Sequence, residues 1–415
     1  MNQSRADRAA LIATLLMPIF MLHAFVLAEV AIALIDVIFL TRSARLHDWR
    51  WTRQGSFPLA MVWWLWLVFC SLPGIGQGGA HSLAEALLIL RYLVLIAALE
   101  HYVLRDPTAR RWLSGIISAC AAYIALQALI QFTFGANLFG AHRWGDGELT
   151  GPFTKPRAAA PLSRLLFPAL LPPVAALLQI PTLRRRAAAA ALTILAFAVV
   201  ILIGQRMPLL LTILGMLVAA LFLRQLRTIA ISALVLGAVL LAATPIVSPP
   251  TFYRLVTKFS AQMETFPTSP YGLLAARAVA ITEQHPWIGR GYDGFRTGCA
   301  DPRYFHGWTW PTNPADDGGG RDGCNIHPHN HYLQAATDSG LLGLALFSAL
   351  VITWLTILGR GLWRDPEPLR VGLFVATSIQ QWPLASTSNA FAIELGGLSF
   401  LLLGFGLALA RHRTP

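Results

Sequence analysis

Three histidines in five residues, His327-Pro328-His329-Asn330-His331, form the densest group of proton-handling side chains in the chain. An unperturbed imidazole titrates near pH 6.5, so a ring kept neutral accepts a proton at physiological pH. His329 is read as a general base, because neighbouring arginines disfavour the imidazolium form. Asn330 is read as orienting the histidine or a substrate. Two other readings stay open. Three histidines this close are also ligand-like for a metal: all share one face in a strand, only His327 and His331 do so in a helix, and Asp322 and Cys324 lie nearby. The histidines would otherwise only cap a helix and meet lipid headgroups.

The cations suggest what such a base would work on. Gly204-Gln205-Arg206-Met207-Pro208 is a tight connection between two apolar runs. An Arg at bilayer depth costs about 2.5–3.5 kcal/mol unless it snorkels or lines a wet cavity. Anion binding by Arg206 is preferred to a snorkelling anchor because other arginines are available to join it. Arg277 precedes Glu283-Gln284-His285-Pro286-Trp287-Ile288-Gly289-Arg290-Gly291-Tyr292, a helix ending at Pro and then a Gly-x-Gly turn whose backbone can approach a ligand closely. That turn brings Arg277 and Arg290 to one loop, although each alone reads as an exposed loop arginine.

The elements that must position these residues are apolar. Of 415 residues 55% are hydrophobic and 13% charged, against roughly 25% charged in a soluble domain, which excludes a soluble globule. Twelve spans are expected: approximately Ala9–Leu22, Ala24–Leu40, Phe57–Ile75, Leu83–Val103, Trp112–Gly135, Pro161–Ile180, Ala187–Gly204, Pro208–Leu223, Thr228–Val247, Leu333–Leu358, Val371–Ala385 and Ile393–Leu409. Ala9–Leu40 also reads as one long helix and a short one, since only Pro18 marks a break. The fold class is thus an all-α polytopic membrane protein, one integral membrane domain over 1–415. It has a smaller outer loop over 136–160 and a large one over 248–331, with helix-like stretches near Phe252–Met263 and Tyr271–Gln284. Asp316-Asp317-Gly318-Gly319-Gly320 reads as a flexible turn. No cleavable leader pattern is seen, so the first span is expected to stay in the protein.

A formal net charge of +12 would suggest nucleic acid in a soluble chain, but here the charges are sorted by membrane side, and no nucleic-acid partner is expected. With both termini cytoplasmic, 19 of the 32 basic residues fall on the cytoplasmic side, as the positive-inside bias requires. Arg91 lies within the fourth span. Twelve cations remain outside, among them Arg143, Lys155, Arg157, Arg164, Arg206, Arg254, Arg277 and Arg290. So basic an outer face calls for an external anionic partner. All but Lys155 and Lys258 of the basic residues are Arg, whose guanidinium binds phosphate bidentately. Cys70 and Cys120 fall within spans, whereas Cys299 and Cys324 share the large loop, where an oxidising compartment permits a bridge that spacing alone does not decide.

These residues carry a resemblance to the O-antigen ligase family, which shares a membrane domain with O-antigen polymerases and pilin oligosaccharyltransferases. The architecture resembles it over nearly the whole chain. The specific part is His329-Asn330 with Tyr332-Leu333 and Asp338–Gly340, Arg206 in the outer hairpin, Pro286-x-x-Gly289-x-Gly291, and Gly151-Pro152-Phe153. The pattern departs where the family often has an Arg and this chain has Tyr271, with Arg277 as a substitute one and a half turns later; His331 is additional to it. The resemblance implies about twelve helices with a periplasmic helical cap, as in C-type membrane glycosyltransferases, in a bacterial inner membrane with the active site periplasmic. It implies an inverting, metal-independent transfer of O-antigen from undecaprenyl pyrophosphate to a sugar hydroxyl of lipid A–core, without a cofactor. His329 would be the base and Arg206 the first pyrophosphate ligand. Arg290 and Arg277 would be its partners, with Arg143, Lys155, Arg157 and Arg254 as further candidates and His327, His331 and Asp338 in support. Trp308 and Trp310 are placed to stack on sugars. O-antigen polymerase and pilin oligosaccharyltransferase differ only in acceptor; a lipid-linked glycan transporter is the rival of a different class.

Overall fold

The computed structural model describes residues 4–180, 182–308 and 316–411; Trp310 and Arg413 lie outside them. Among the described residues there are helices and no strands. Helices α1 (Arg5–His23) and α2 (Phe25–Leu46) part at Ala24, so the first apolar run is two helices with Pro18 accommodated inside α1. Then come α3 (Phe57–Cys70), α4 (Gly79–Leu88), α5 (Leu90–His101), α6 (Pro107–Phe134), α7 (Ala159–Leu178), α8 (Leu183–Ile203), α9 (Arg206–Phe222) and α10 (Arg227–Val247). The cap begins with α11 (Pro249–Phe252), which runs through a π-turn, Tyr253–Thr257, into α12 (Lys258–Glu264), and continues with α13 (Pro270–Gln284) and α14 (Gly294–Gly298). The chain returns to the bundle through α15 (His331–Gly359), α16 (Pro368–Gln380) and α17 (Leu398–Arg411).

A helix stands at each of the twelve expected spans, α4 and α5 together filling the fourth. Among the described residues eight segments are long and apolar enough to cross a membrane, while α3 and α9 are shorter apolar helices. The helix α2 carries Glu29, Asp36, Arg42 and Arg45, and α16 has only 13 residues. The expected end of the eleventh span at Ala385 is corrected: α16 stops at Gln380, because a helix is disfavoured at the residue before Pro383. The residues that follow form a polar loop.

The centre of the bundle is α7 and the last span, each with 72% of its apolar window enclosed. The helix α7 runs through Pro168, Pro172 and Pro173, with α16 packed along one side and α6 and α8 along others. Arg91 of α5 makes a two-point ion pair with Glu29 of α2, 2.9 Å at each nitrogen, which offsets the cost of a charge in a low-dielectric setting.

The cap is bolted to a break in α15. Ser339 and Gly340 leave helical geometry, Gly340 at φ +69° and ψ −171°. Into that gap fits the turn after α13: Leu341 N–H donates to Pro286 O (2.7 Å), Arg290 N–H to Thr337 O (2.8 Å) and Gly291 N–H to Asp338 O (3.0 Å). A Cβ on Gly289 would stand 2.6 Å from Asp338 C, and one on Gly340 2.3 Å from Trp287 O. The Gly-x-Gly turn therefore approaches the chain's own interrupted helix, and not a ligand. A disulfide joins Cys299 to Cys324 within the cap, Cα atoms 5.5 Å apart.

Candidate active site

One cavity of about 670 Å³ opens where the cap meets the bundle. Its walls come from α7, the start of α9, α12, α13, the residues entering α15, and the 383–388 loop after α16. Arg206 and His329, 123 positions apart in the sequence, both line it.

His329 is held in an uncommon backbone conformation, φ +54°, one that His tolerates better than most residues. Thr387 clamps it from two sides: Thr387 N–H donates to His329 O at 2.8 Å, and Thr387 O lies 3.1 Å from His329 Nδ1. A carbonyl can only accept, so Nδ1 carries the proton and Nε2 keeps its lone pair. Asn325 Nδ2 is 3.3 Å from that Nε2, and the Tyr271 ring stands edge-on at 5.9 Å. Burial holds the His329 imidazole below its usual 6.5, so the ring is neutral at pH 7. His327, with ring centroid 4.2 Å from that of His329, is pushed down to about 4 by burial and then by the two neighbouring histidines.

His331 turns away from His329. Its Nδ1 meets Gln381 Oε1 at 3.1 Å and its Nε2 meets Thr387 Oγ1 at 2.8 Å, so it braces the clamp from behind. The three histidines thus follow neither a strand nor a helix, and among the described residues no three His, Cys, Asp or Glu are grouped to hold a metal ion. Asn330 caps α15, its Oδ1 accepting from Tyr332 and Leu333 N–H, and its Nδ2 donates to Pro383 O at 2.7 Å. Asp338 lies away from the cavity, where its Oδ1 accepts from Gly294 N–H at 2.8 Å and helps dock the cap.

The cations separate into those on the cavity and those elsewhere. Arg206, the first residue of α9, hydrogen bonds to Gln262 Oε1 of α12 and stands over the Phe259 ring at 5.8 Å. Arg254 also lines the cavity but is ion-paired with Asp146 and, at 2.6 Å, with Glu148, and donates to Gly204 O at 3.0 Å. Arg277 does not reach the cavity. It is 1% exposed, stacks on Phe305 at 4.3 Å and donates to Cys299 O, Gly318 O and Gly320 O, so the Gly318–Gly320 run is a carbonyl cradle and not a free turn. Arg290 is likewise buried off the cavity, bonded to Gln77 Oε1 and, at 2.6 Å, to Tyr304 OH. Arg143 reaches Ser248 Oγ at 3.3 Å, Arg157 pairs with Glu394 at 2.8 Å, and Lys155 is exposed; none of the three lines the cavity.

Several cavity residues escaped the sequence reading. Tyr271, the departure from the family pattern, is itself on the wall, so the position is used although the guanidinium is missing. Gln262 and Phe259 position Arg206, and Gln205 joins Glu148 to the hairpin. The 383–388 loop could have been found from Pro383 and the polar run Ser386-Thr387-Ser388-Asn389 inside an apolar region. Trp308 does line the cavity, its Nε1 fixed on Gly272 O at 3.0 Å.

A polytopic helical membrane protein whose cap roofs a cavity lined by arginine and neutral histidine is the class these features define. Residues 191–348, from α8 through the hairpin and the cap into α15, match the O-antigen ligase family model. Members are enzymes of glycosyltransferase type that act on lipid-linked glycans. No curated protein matches the chain.

Proposed function

We propose that this protein is an O-antigen ligase of the bacterial inner membrane, transferring glycan from undecaprenyl pyrophosphate to a sugar hydroxyl of lipid A–core on the periplasmic face. The observation that carries this reading is the shared cavity of Arg206 and His329. Arg206 binds the donor's pyrophosphate and stabilises the negative charge that grows on it as the glycosidic bond breaks, commonly the largest contribution to catalysis. His329 Nε2 takes the proton of the acceptor hydroxyl as that oxygen attacks the anomeric carbon from the opposite face, inverting it. The same burial that keeps the ring neutral penalises the imidazolium that results. The Thr387 carbonyl on Nδ1–H and the pyrophosphate anion released into the same cavity offset that penalty.

The apolar residues on the cavity wall, Leu210, Phe259, Met263 and Phe266 among them, suit a prenyl chain arriving from the membrane. A transporter would place charges along a path through both leaflets, whereas Arg91 pairs with Glu29 and Arg157 with Glu394. Polymerase and pilin-transfer activities use the same donor chemistry with other acceptors. The reading is tested with purified protein in nanodiscs, a lipid-linked glycan and alternative acceptors, with chelator present. Product on lipid A–core supports it. Product only on a second lipid-linked glycan or on pilin assigns the acceptor elsewhere, and activity lost to chelator and restored by zinc or magnesium contradicts metal independence.

A further inference from the structure

One guanidinium of the cavity has no role in the reading above. Arg164 lies on α7 within the bundle, is 6% exposed and lines the cavity. Its Nη1 donates to Ala160 O (3.0 Å) and its Nε to Ser399 Oγ (3.2 Å), while Nη2 has no partner and no carboxylate pairs with it among the described residues. Beside it, Gln380 of α16 is 6% exposed and also on the cavity wall. Its Oε1 accepts from Ser399 Oγ, which leaves its amide N–H₂ without an acceptor among the described residues. Ser399 therefore ties the two side chains together and leaves each with spare donors.

A buried, unpaired guanidinium beside an unpaired amide is strongly disfavoured unless an anion completes it. Arg254, by contrast, is already neutralised by Asp146 and Glu148. We propose that Arg164 and Gln380 form an anion subsite for the second phosphoryl group of a prenyl pyrophosphate, with Arg206 holding the other. This assignment rests on the lipid pyrophosphate donor proposed above. It accounts for a cation kept on α7, one of the two most enclosed helices of the bundle.

The test measures binding of farnesyl pyrophosphate and farnesyl monophosphate to the full-length protein in nanodiscs. The wild type should prefer the pyrophosphate by about tenfold or more, as expected for one additional charge-assisted contact. R164Q should cut pyrophosphate affinity by about tenfold and bring the two ligands to near parity, while R206Q weakens both. Q380L, neutral and close in size, should reduce the preference by about threefold and decides the matter if R164Q fails to fold. A folded R164Q or Q380L with undiminished preference, or a wild type that binds both ligands equally, overturns the subsite. A wild type that binds neither overturns the donor reading and the subsite together.

Discussion

At the scale of single residues, the proposal turns on which imidazole nitrogen is free. Thr387 O fixes the proton on Nδ1 of His329, and burial keeps the ring neutral, so activity depends on a base whose pKa lies below 6.5. The sign follows: kcat/KM should be flat near pH 7 and fall only as the pH drops below 6.5. Tyr271→Ala, which lets water reach the ring, should move that acidic limb upward toward 6.5, and a limb unmoved by this change would separate His329 from the pH dependence. His329 and Arg206 were legible because each is a costly side chain at a membrane-edge turn. Arg277 and Arg290 were not, since a guanidinium bonded to carbonyls or tyrosine reads in sequence like one awaiting phosphate. Arg277→Gln should therefore lower the melting temperature and leave donor KM within about twofold in the folded fraction, as a buried hydrogen-bonded charge is removed without touching the cavity.

At the scale of elements, the interrupted α15 and the turn after α13 form the joint that holds the cap over the cavity. Gly340 sits in a conformation that costs other residues about 1–3 kcal/mol, before the contact of a new Cβ with Trp287 O is counted. Gly340→Ala should lower the melting temperature and raise hydrogen exchange in 286–291 more than in α7; a neutral result would mean that the joint is not needed for docking. The Cys299–Cys324 bridge spans 25 residues, and its loss should cost the cap about 3 kcal/mol on chain-entropy grounds, read as greater proteolysis of the 300–325 region in a double Ser variant. Helix positions were readable from apolar length. The Pro383 loop was overlooked despite its Pro and polar run, because an eleventh span drawn through it is still apolar on average, and the gap at Ser339–Gly340 was not readable, since a Gly inside a long helix looks merely tolerated.

At the scale of the whole molecule, the sorting of arginines and the family match together account for a bundle with one elaborated face. The only two lysines, Lys155 and Lys258, are exposed on that face. In sealed, right-side-out vesicles a membrane-impermeant amine reagent should label both, found by peptide mapping, and labelling only after inversion would reverse the proposed orientation. Overall class was readable from composition alone, whereas the meeting of 206, 254, 329 and 387 in one cavity needed the fold, because 48 to 75 residues separate each contributor from the next.

The central claim is that Arg206 and His329 serve one transfer in the shared cavity, Arg206 on the donor's pyrophosphate and His329 on the acceptor's hydroxyl. Single-turnover transfer with a saturating lipid-linked donor tests it most directly in folded His329→Ala and Arg206→Ala proteins, with donor binding measured alongside. His329→Ala should bind donor near normally yet transfer at least about a hundredfold more slowly, as for loss of a general base, and Arg206→Ala should lose both binding and transfer. Near-normal turnover in either variant would contradict the account.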